Sequence, residues 1–550
     1  MKPKWRLRAG MVLASILALA MFLPACSNDG DDPDPDPTAT LQKLPELRFQ
    51  YANTGSNPQL AEFLQEQLRV NLGVTLVLEP MESKAFSQMV NEEKHTWAFF
   101  GWGADYPDPD NWLPEIFGTG GGVNHNLYSD PAFDALATQA MKELDNAKRL
   151  EMWADAQEMV VDAAPMVFLF NRERFVLVNP NVQGLLTTGM DGQIAGDQFY
   201  YNVSTPSKTL TVNLAGEPAQ IDPNFASWAA ERSVISQVFE GLLGFNQDLS
   251  LKPAVAAEIP SLTNGGISAD GKTYTFKINP NATWADGVKV TANDFEYSIK
   301  RMLNPDEAAE YASFYYDIVG AEAYNSGTGT KDAVGVKALD ASTLEIKLQD
   351  PRPTFLSIMA LWPAYPLRED IIATYGTQWT EAGNYMGNGP FMLSEWEHQD
   401  HMTFIPNPNY WGTAPKLTKI TFKMITDTNA ALAAYKNNEL DITAPPAGTE
   451  LATLADPVYG KQVVRYNELV TFSLQFNMTA APFDNKLIRQ ALSCAIDRSA
   501  YIDQIRGGVG TVALSWIPPG MPGYDPDLGK EWDFNPTKAK QLLEEAGYKP

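Results

Sequence analysis

Leu47-Arg48-Phe49-Gln50-Tyr51, then Leu60, Phe63, Leu64 and Leu68, then Val74-Thr75-Leu76-Val77-Leu78 decide the fold class. The first run alternates apolar and polar residues, the period of a strand. The four spaced apolar residues fall on one helical face. The last run is apolar and β-branched, as a buried strand requires. Strand, helix, strand is the unit of an α/β protein. Outward from it, Trp97-Ala98-Phe99-Phe100-Gly101-Trp102 predicts a buried strand emptying into the loop Gly103-Ala104-Asp105-Tyr106-Pro107-Asp108-Pro109. Helices are predicted near 130–143 and over 146–163, with Asp145-Asn146 capping the second. Val167-Phe168-Leu169-Phe170 and Phe175-Val176-Leu177-Val178 read as two strands. At Thr209 a second strand–helix run begins, with its helix around 234–242. Residues 270–348 suggest a smaller αβ lobe, 384–443 alternate like strands, and helices are expected over 484–506 and 537–546. No internal repeat of solenoid length is seen.

The 550 residues exceed one ordinary core, so two or three lobes are expected. A hydrophobic share of 44% and a charged share of 20% are those of a globular chain. The formal charge of -26 argues against a nucleic-acid partner, because phosphate backbones would repel it. Two cysteines, Cys26 and Cys494, exclude a disulfide scaffold or a Cys-based zinc site. Cys494 reads as a small buried apolar residue.

Lys2, Lys4, Arg6 and Arg8 precede an apolar run from Ala9 to Leu23 that is short for a membrane span. That is the anatomy of a secretory signal. The ending Leu23-Pro24-Ala25-Cys26 resembles a bacterial lipobox, which implies a signal over 1–25 and lipidation of Cys26. Residues 26–44 follow as an acidic, Pro-rich tether that cannot pack a core. A globular body held at a membrane by its lipid anchor alone is expected.

Three clusters invite a chemical reading. In the run from Gly101 to Pro109, a strand delivers in sequence an aromatic, a glycine and the carboxylate Asp105. A carboxylate at a strand end can hold a ligand ammonium, and glycine lets a peptide backbone approach. The same residues also suit a plain turn. Glu217-Pro218-Ala219-Gln220-Ile221-Asp222-Pro223-Asn224 reads as a loop fixed ahead of a helix, with Ser227-Trp228-Ala229 beyond it. His398-Gln399-Asp400-His401 could seed a metal site on a helix, but the flanking alternation predicts a hairpin turn. Gly-x-Ser-x-Gly, phosphate-loop, dinucleotide and His-Glu-x-x-His patterns are missing from the sequence. The chain reads as a binder with no cofactor and no metal.

Trp284-Ala285-Asp286-Gly287-Val288-Lys289-Val290-Thr291-Ala292-Asn293-Asp294-Phe295 resembles a signature of the bacterial extracellular solute-binding proteins of family 5, the oligopeptide and dipeptide receptors of ABC importers. The resemblance extends to Phe239-Glu240-Gly241-Leu242-Leu243, Gly387-Asn388-Gly389-Pro390-Phe391, Asn407-Pro408-Asn409-Tyr410-Trp411, Ile488-Arg489-Gln490-Ala491-Leu492, Ala495-Ile496-Asp497-Arg498 and the run of Asp105. The segment order differs from the family's: what is usually the last quarter stands first, and Thr205-Pro206-Ser207 joins the usual end to the usual start. The chain thus looks circularly permuted.

The resemblance implies a periplasmic-binding-protein-like clamshell of type II, two-lobed, with a third, smaller domain. The expected division is 45–172 and 513–550 for the second lobe, 173–250 and 381–512 for the first, and 251–380 for the small domain. It implies that Asp105 holds a peptide's α-ammonium and that Gly101, Gly103 and Ala229 meet its backbone. Trp102 becomes a pocket wall, and Ser227 and Asn477 polar groups of the cleft. An Arg that relatives binding longer peptides place six residues before the anchor is here Phe99, and a His serving the peptide C-terminus aligns near Asn57-Pro58. The partners implied are an oligopeptide and an ABC permease, for a monomeric, extracytoplasmic receptor anchored by lipid. An oligosaccharide receptor of the same fold, and more remotely an exported hydrolase, are the rival readings.

Overall fold

The computed structural model describes residues 41–190 and 201–550. The signal, Cys26 and most of the tether lie outside the described residues. The body from Gln42 to Pro550 is organised by an eleven-stranded mixed sheet. Its order is Phe391–Glu397, His401–Pro406, Lys419–Lys423, Thr209–Asn213, Ile442–Thr443, Met166–Val178, Val463–Phe476, Trp97–Gly103, Leu47–Ala52 and Leu76–Met81. Thr511–Val512 pairs beside Met166–Val178, off this path.

Two strands cross the whole molecule. The runs at 167–170 and 175–178, expected as separate strands, are one strand of 13 residues, Met166–Val178. It lies antiparallel to the 14-residue strand Val463–Phe476. Their ladder is interrupted between the pairs Asn467–Glu173 and Thr471–Asn171. On one side of the interruption the neighbours are Trp97–Gly103, Leu47–Ala52 and Leu76–Met81, the second lobe. On the other side lie Thr209–Asn213 and the hairpin strands, the first lobe. The polar residues at the crossing satisfy one another. Arg172 and Arg174 reach Glu468 at 2.5 and 3.5 Å, and Arg465 pairs with Glu173.

The helix Asn57–Leu72 buries Leu60, Phe63, Leu64 and Leu68, as its spacing predicts, against Leu47 and Phe49. Pro58 opens it and Gly73, at φ 62°, ends it in the left-handed conformation. Because the chain changes lobes within Val463–Phe476, the following helices Lys486–Cys494 and Arg498–Ile505 also pack here. They therefore lie in the second lobe, ahead of the boundary expected at 512. One helix was expected over 484–506. The chain breaks it because Asp497 caps the second piece, accepting from the Ala500 amide at 2.9 Å. Cys494 is buried in the same core.

The small domain holds the three-stranded sheet of Thr273–Lys277, Val336–Asp340 and Thr343–Lys347, with the helix Ala292–Met302 against it. The scattered motifs meet beside it. A Cβ on Gly387 would lie 2.0 Å from the Val238 carbonyl oxygen, so that position accepts only glycine. Asn388 bonds both the amide and the carbonyl of Glu240 at 2.9 Å. Asn407 donates to the Gly389 carbonyl, Asn409 to the Ala285 carbonyl and Tyr410 to Glu240. Trp284 is fully buried, and Asp294 caps its own helix through Thr291. The motifs at 239–243, 284–295, 387–391 and 407–411 thus form a structural joint between the first lobe and the small domain. Trp228 stands 72% exposed at the helix Ala229–Val238.

Candidate functional site

Strand Trp97–Gly103 pairs with Val463–Phe476 from Trp97–Phe476 to Gly103–Val470. Along its other edge the pairing with Leu47–Ala52 is the single pair Gln50–Ala98. Residues 99–103 therefore offer an open backbone edge among the described residues, the feature that accepts an added strand. At the end of this edge the Ala104 amide donates to the Leu469 carbonyl, and the chain turns into Asp105.

Asn111 organises that turn. Its carboxamide oxygen accepts from the Asp105 amide at 2.8 Å and its nitrogen donates to the Asp105 carboxylate at 3.0 Å. Its carbonyl accepts from the Trp102 indole at 3.0 Å. Asp105 and Trp102 are thus fixed by one residue that the sequence did not single out. Burial pushes the Asp105 carboxyl up to about 6. The Asn111 bond and the charge of Arg232 draw it down, and Glu115 raises it. A cation seated against this carboxylate would relieve the burial penalty.

Arg232 comes from the first lobe, one turn into the helix Ala229–Val238. Its guanidinium lies over the Trp362 ring at 4.7 Å. Ahead of this helix the Glu231 carboxylate accepts from the Ser227 and Trp228 amides at 2.7 and 3.0 Å, which fixes the entry to Ala229. Ala229, Ala230 and Ser233, with Arg174 and Tyr466 of the crossing strands, line a cavity of about 230 Å³. Asp105 and Trp102 do not line it.

The structure gathers Gly101, Trp102, Gly103 and Asp105 on one strand end and places the helix of Ala229 within electrostatic reach of it. Asn477 stands elsewhere. It follows Phe476, which pairs with Trp97 at the far end of the strand, about 20 Å from Gly103 at the strand rise. Its side chain donates to the Glu93 and His95 carbonyls at 3.2 and 3.1 Å and accepts from Thr479. Gly101 has a packing reason of its own, because a Cβ there would lie 2.5 Å from the Phe472 ring. His398 and His401 flank the turn of a hairpin. His398 pairs with Glu217 at 2.6 Å and His401 with Asp400 at 2.5 Å. Among the described residues no cluster of three or more metal-ligating side chains forms. None of the described helices is long and apolar enough to cross a membrane.

The sequence model of the bacterial extracellular solute-binding proteins, family 5 (middle), matches residues 26–124 and 250–550. The chain is 35% identical over 363 residues to the oligopeptide-binding protein OppA of Bacillus subtilis, covering 65% of this chain and 64% of that protein. It is 35% identical over 351 residues to the dipeptide-binding protein DppE of the same organism, covering 61% of each. The chain thus spans a little over three fifths of the length of these relatives. The open, unliganded structure of the periplasmic murein tripeptide-binding protein MppA is 30% identical, with a TM-score of 0.54 over 63% of this chain and 67% of that one.

Proposed function

The chain belongs to the bacterial extracellular solute-binding proteins, family 5, and from that premise we propose that it is the extracytoplasmic receptor of an ABC importer. Its ligand is an extended oligopeptide, gripped in a closing cleft and released to the permease. The observation that carries the reading is the half-buried Asp105 carboxylate at the end of an open strand edge. An ammonium on Asp105 gains a charge-assisted bond. Backbone pairing along Gly101 and Gly103 then gives affinity without demanding a sequence. Trp102 walls the site from the second lobe, and Ser227 and Ala229 approach from the first. Asp105 binds and does no chemistry, so the role is that of a carrier, not an enzyme.

Support for closure comes from the crossing strands, whose interrupted ladder is a place for two lobes to bend. We further propose the lipid anchor at Cys26, a monomeric state, docking of the closed form on the permease, and the permuted segment order. The parallel pairing of Gln42–Lys43 with Tyr548–Lys549 sets side by side the two segments that the family order joins.

Asp105→Ala should weaken binding of a short peptide such as tri-alanine by about 2–5 kcal/mol, read by calorimetry. Unchanged affinity would remove Asp105 from the anchor role. Native mass spectrometry of the purified chain supplies the ligand class. Released short peptides are expected, and released oligosaccharides would transfer the function to the rival reading.

A further inference from the structure

The loop that carries Asp105 is held from two directions. From its own lobe, Arg149 donates to both oxygens of Asp108 at 2.7 Å, and Asp108 in turn accepts from the Asp110 amide at 3.2 Å. From the small domain comes Arg352. Its Nε lies 3.1 Å from the Asp110 carboxylate and its Nη2 donates to the Tyr106 hydroxyl at 3.2 Å. Thr354 donates to the same Asp110 oxygen at 2.7 Å. Arg352 is itself fixed, by Asp317 at 3.4 Å and by the Thr354 hydroxyl at 3.0 Å. The Tyr106 ring meets the edge of Phe314 at 6.4 Å. Asp110 is 2% exposed.

The small domain is also built onto the first lobe. Arg301 grips Asp222 at 2.8 and 3.1 Å. Asn224 donates to Ser298 and to the Pro363 carbonyl. Trp362 donates to the Ala226 carbonyl. Arg352 therefore ties the body bearing Arg232 and Ala229 to the loop bearing the anchor. A guanidinium fork addresses a carboxylate and a hydroxyl at once, which an ammonium at the end of a flexible stem does not. Such a buried pair adds little net stability but fixes one arrangement, because leaving either charge alone is costly.

We propose that Arg352 is a positioning residue: through Asp110 and Tyr106 it makes the order of the Asp105 loop depend on the seating of the small domain against the second lobe. What the anchor binds rests on the function proposed above. The coupling is a property of the ligand-free chain.

Hydrogen exchange read by mass spectrometry on the full, ligand-free chain tests it. Arg352→Met should raise exchange over 105–113 about tenfold, while the crossing strand Met166–Val178 keeps its protection. The paired variant Arg352→Met with Asp110→Asn leaves no lone charge at position 110 and should show the same loosening. Arg352→Lys, which keeps the charge and loses the fork, should fall between. If Arg352→Met does not fold, the paired variant decides. Loop exchange in the paired variant equal to that of the parent chain, with the crossing strand protected, overturns the proposal. In a parallel arm, tri-alanine should leave the Arg352→Met chain about tenfold faster, with its association rate little changed. Failure of the parent chain to bind any peptide overturns the peptide reading, while the exchange result still judges Arg352.

Discussion

Asp105 combines a desolvated setting with, among the described residues, a single side-chain hydrogen bond, from Asn111, and its carboxyl is pushed up to about 6 in consequence. Binding an ammonium requires the carboxylate, so a proton competes with the ligand below that value. The affinity for a peptide should be greatest near pH 7, falling up to about tenfold per pH unit below about 6, where the protonated acid prevails, and falling again above about 8, where the peptide's own α-ammonium loses its proton. Calorimetry across this range checks it, and a profile level down to pH 4.5 would contradict the assignment. Gly101 tells a different story. The sequence reads it as room for a ligand backbone, and the Phe472 ring, 2.5 Å from the place of its Cβ, adds a packing reason for glycine. Gly101→Ala should lower stability by about 1–3 kcal/mol as the ring is displaced, seen as a lower Tm without ligand.

Elements were legible where one periodicity ran unopposed. The helix predicted over 146–163 is observed as Asn146–Ala163, with Asp145 as its cap. The strand predicted at 97–102 runs from Trp97 to Gly103. Where the reading failed, long-range partners were the cause. Arg172 and Glu173 look like a polar turn between two strands, yet Glu468 and Arg465 meet them across the crossing and the strand continues. The expected helix over 484–506 is split at Asp497, and Arg498, 1% exposed, turns inward to the Phe168 and Ser493 carbonyls at 2.6 and 3.1 Å. Asp497→Ala should cost about 1 kcal/mol by loss of the cap, measurable in a denaturant midpoint. An unchanged midpoint would mean that Arg498 alone sets the break.

At the scale of the molecule, two strands carry the chain between lobes, and their ladder is interrupted at Glu468–Val470. We propose that the body closes by bending there. Small-angle scattering should show a smaller radius of gyration when peptide is added to ligand-free protein, and an identical curve would speak against closure. The family motifs illuminate a separate point. Gly387, Gly389, Asn407, Asn409 and Glu240 lie far apart in sequence and converge on one joint. They identify the fold because backbone contacts this close tolerate few alternatives. They say little about the candidate site, because none of them bonds to Asp105.

The sequence by itself determined the α/β class, most helices and strands, the family and the Asp105 run, since periodicity, caps and close-packed glycines are written locally. Only the tertiary structure decided that two strands are one, that Asn477 ties a distant turn and that Asn111 and Arg352 bond the loop that carries Asp105. Those roles depend on which residues meet across hundreds of positions. A buried Arg or Asn carries no periodic signal of its own, because its partner is chosen by the fold.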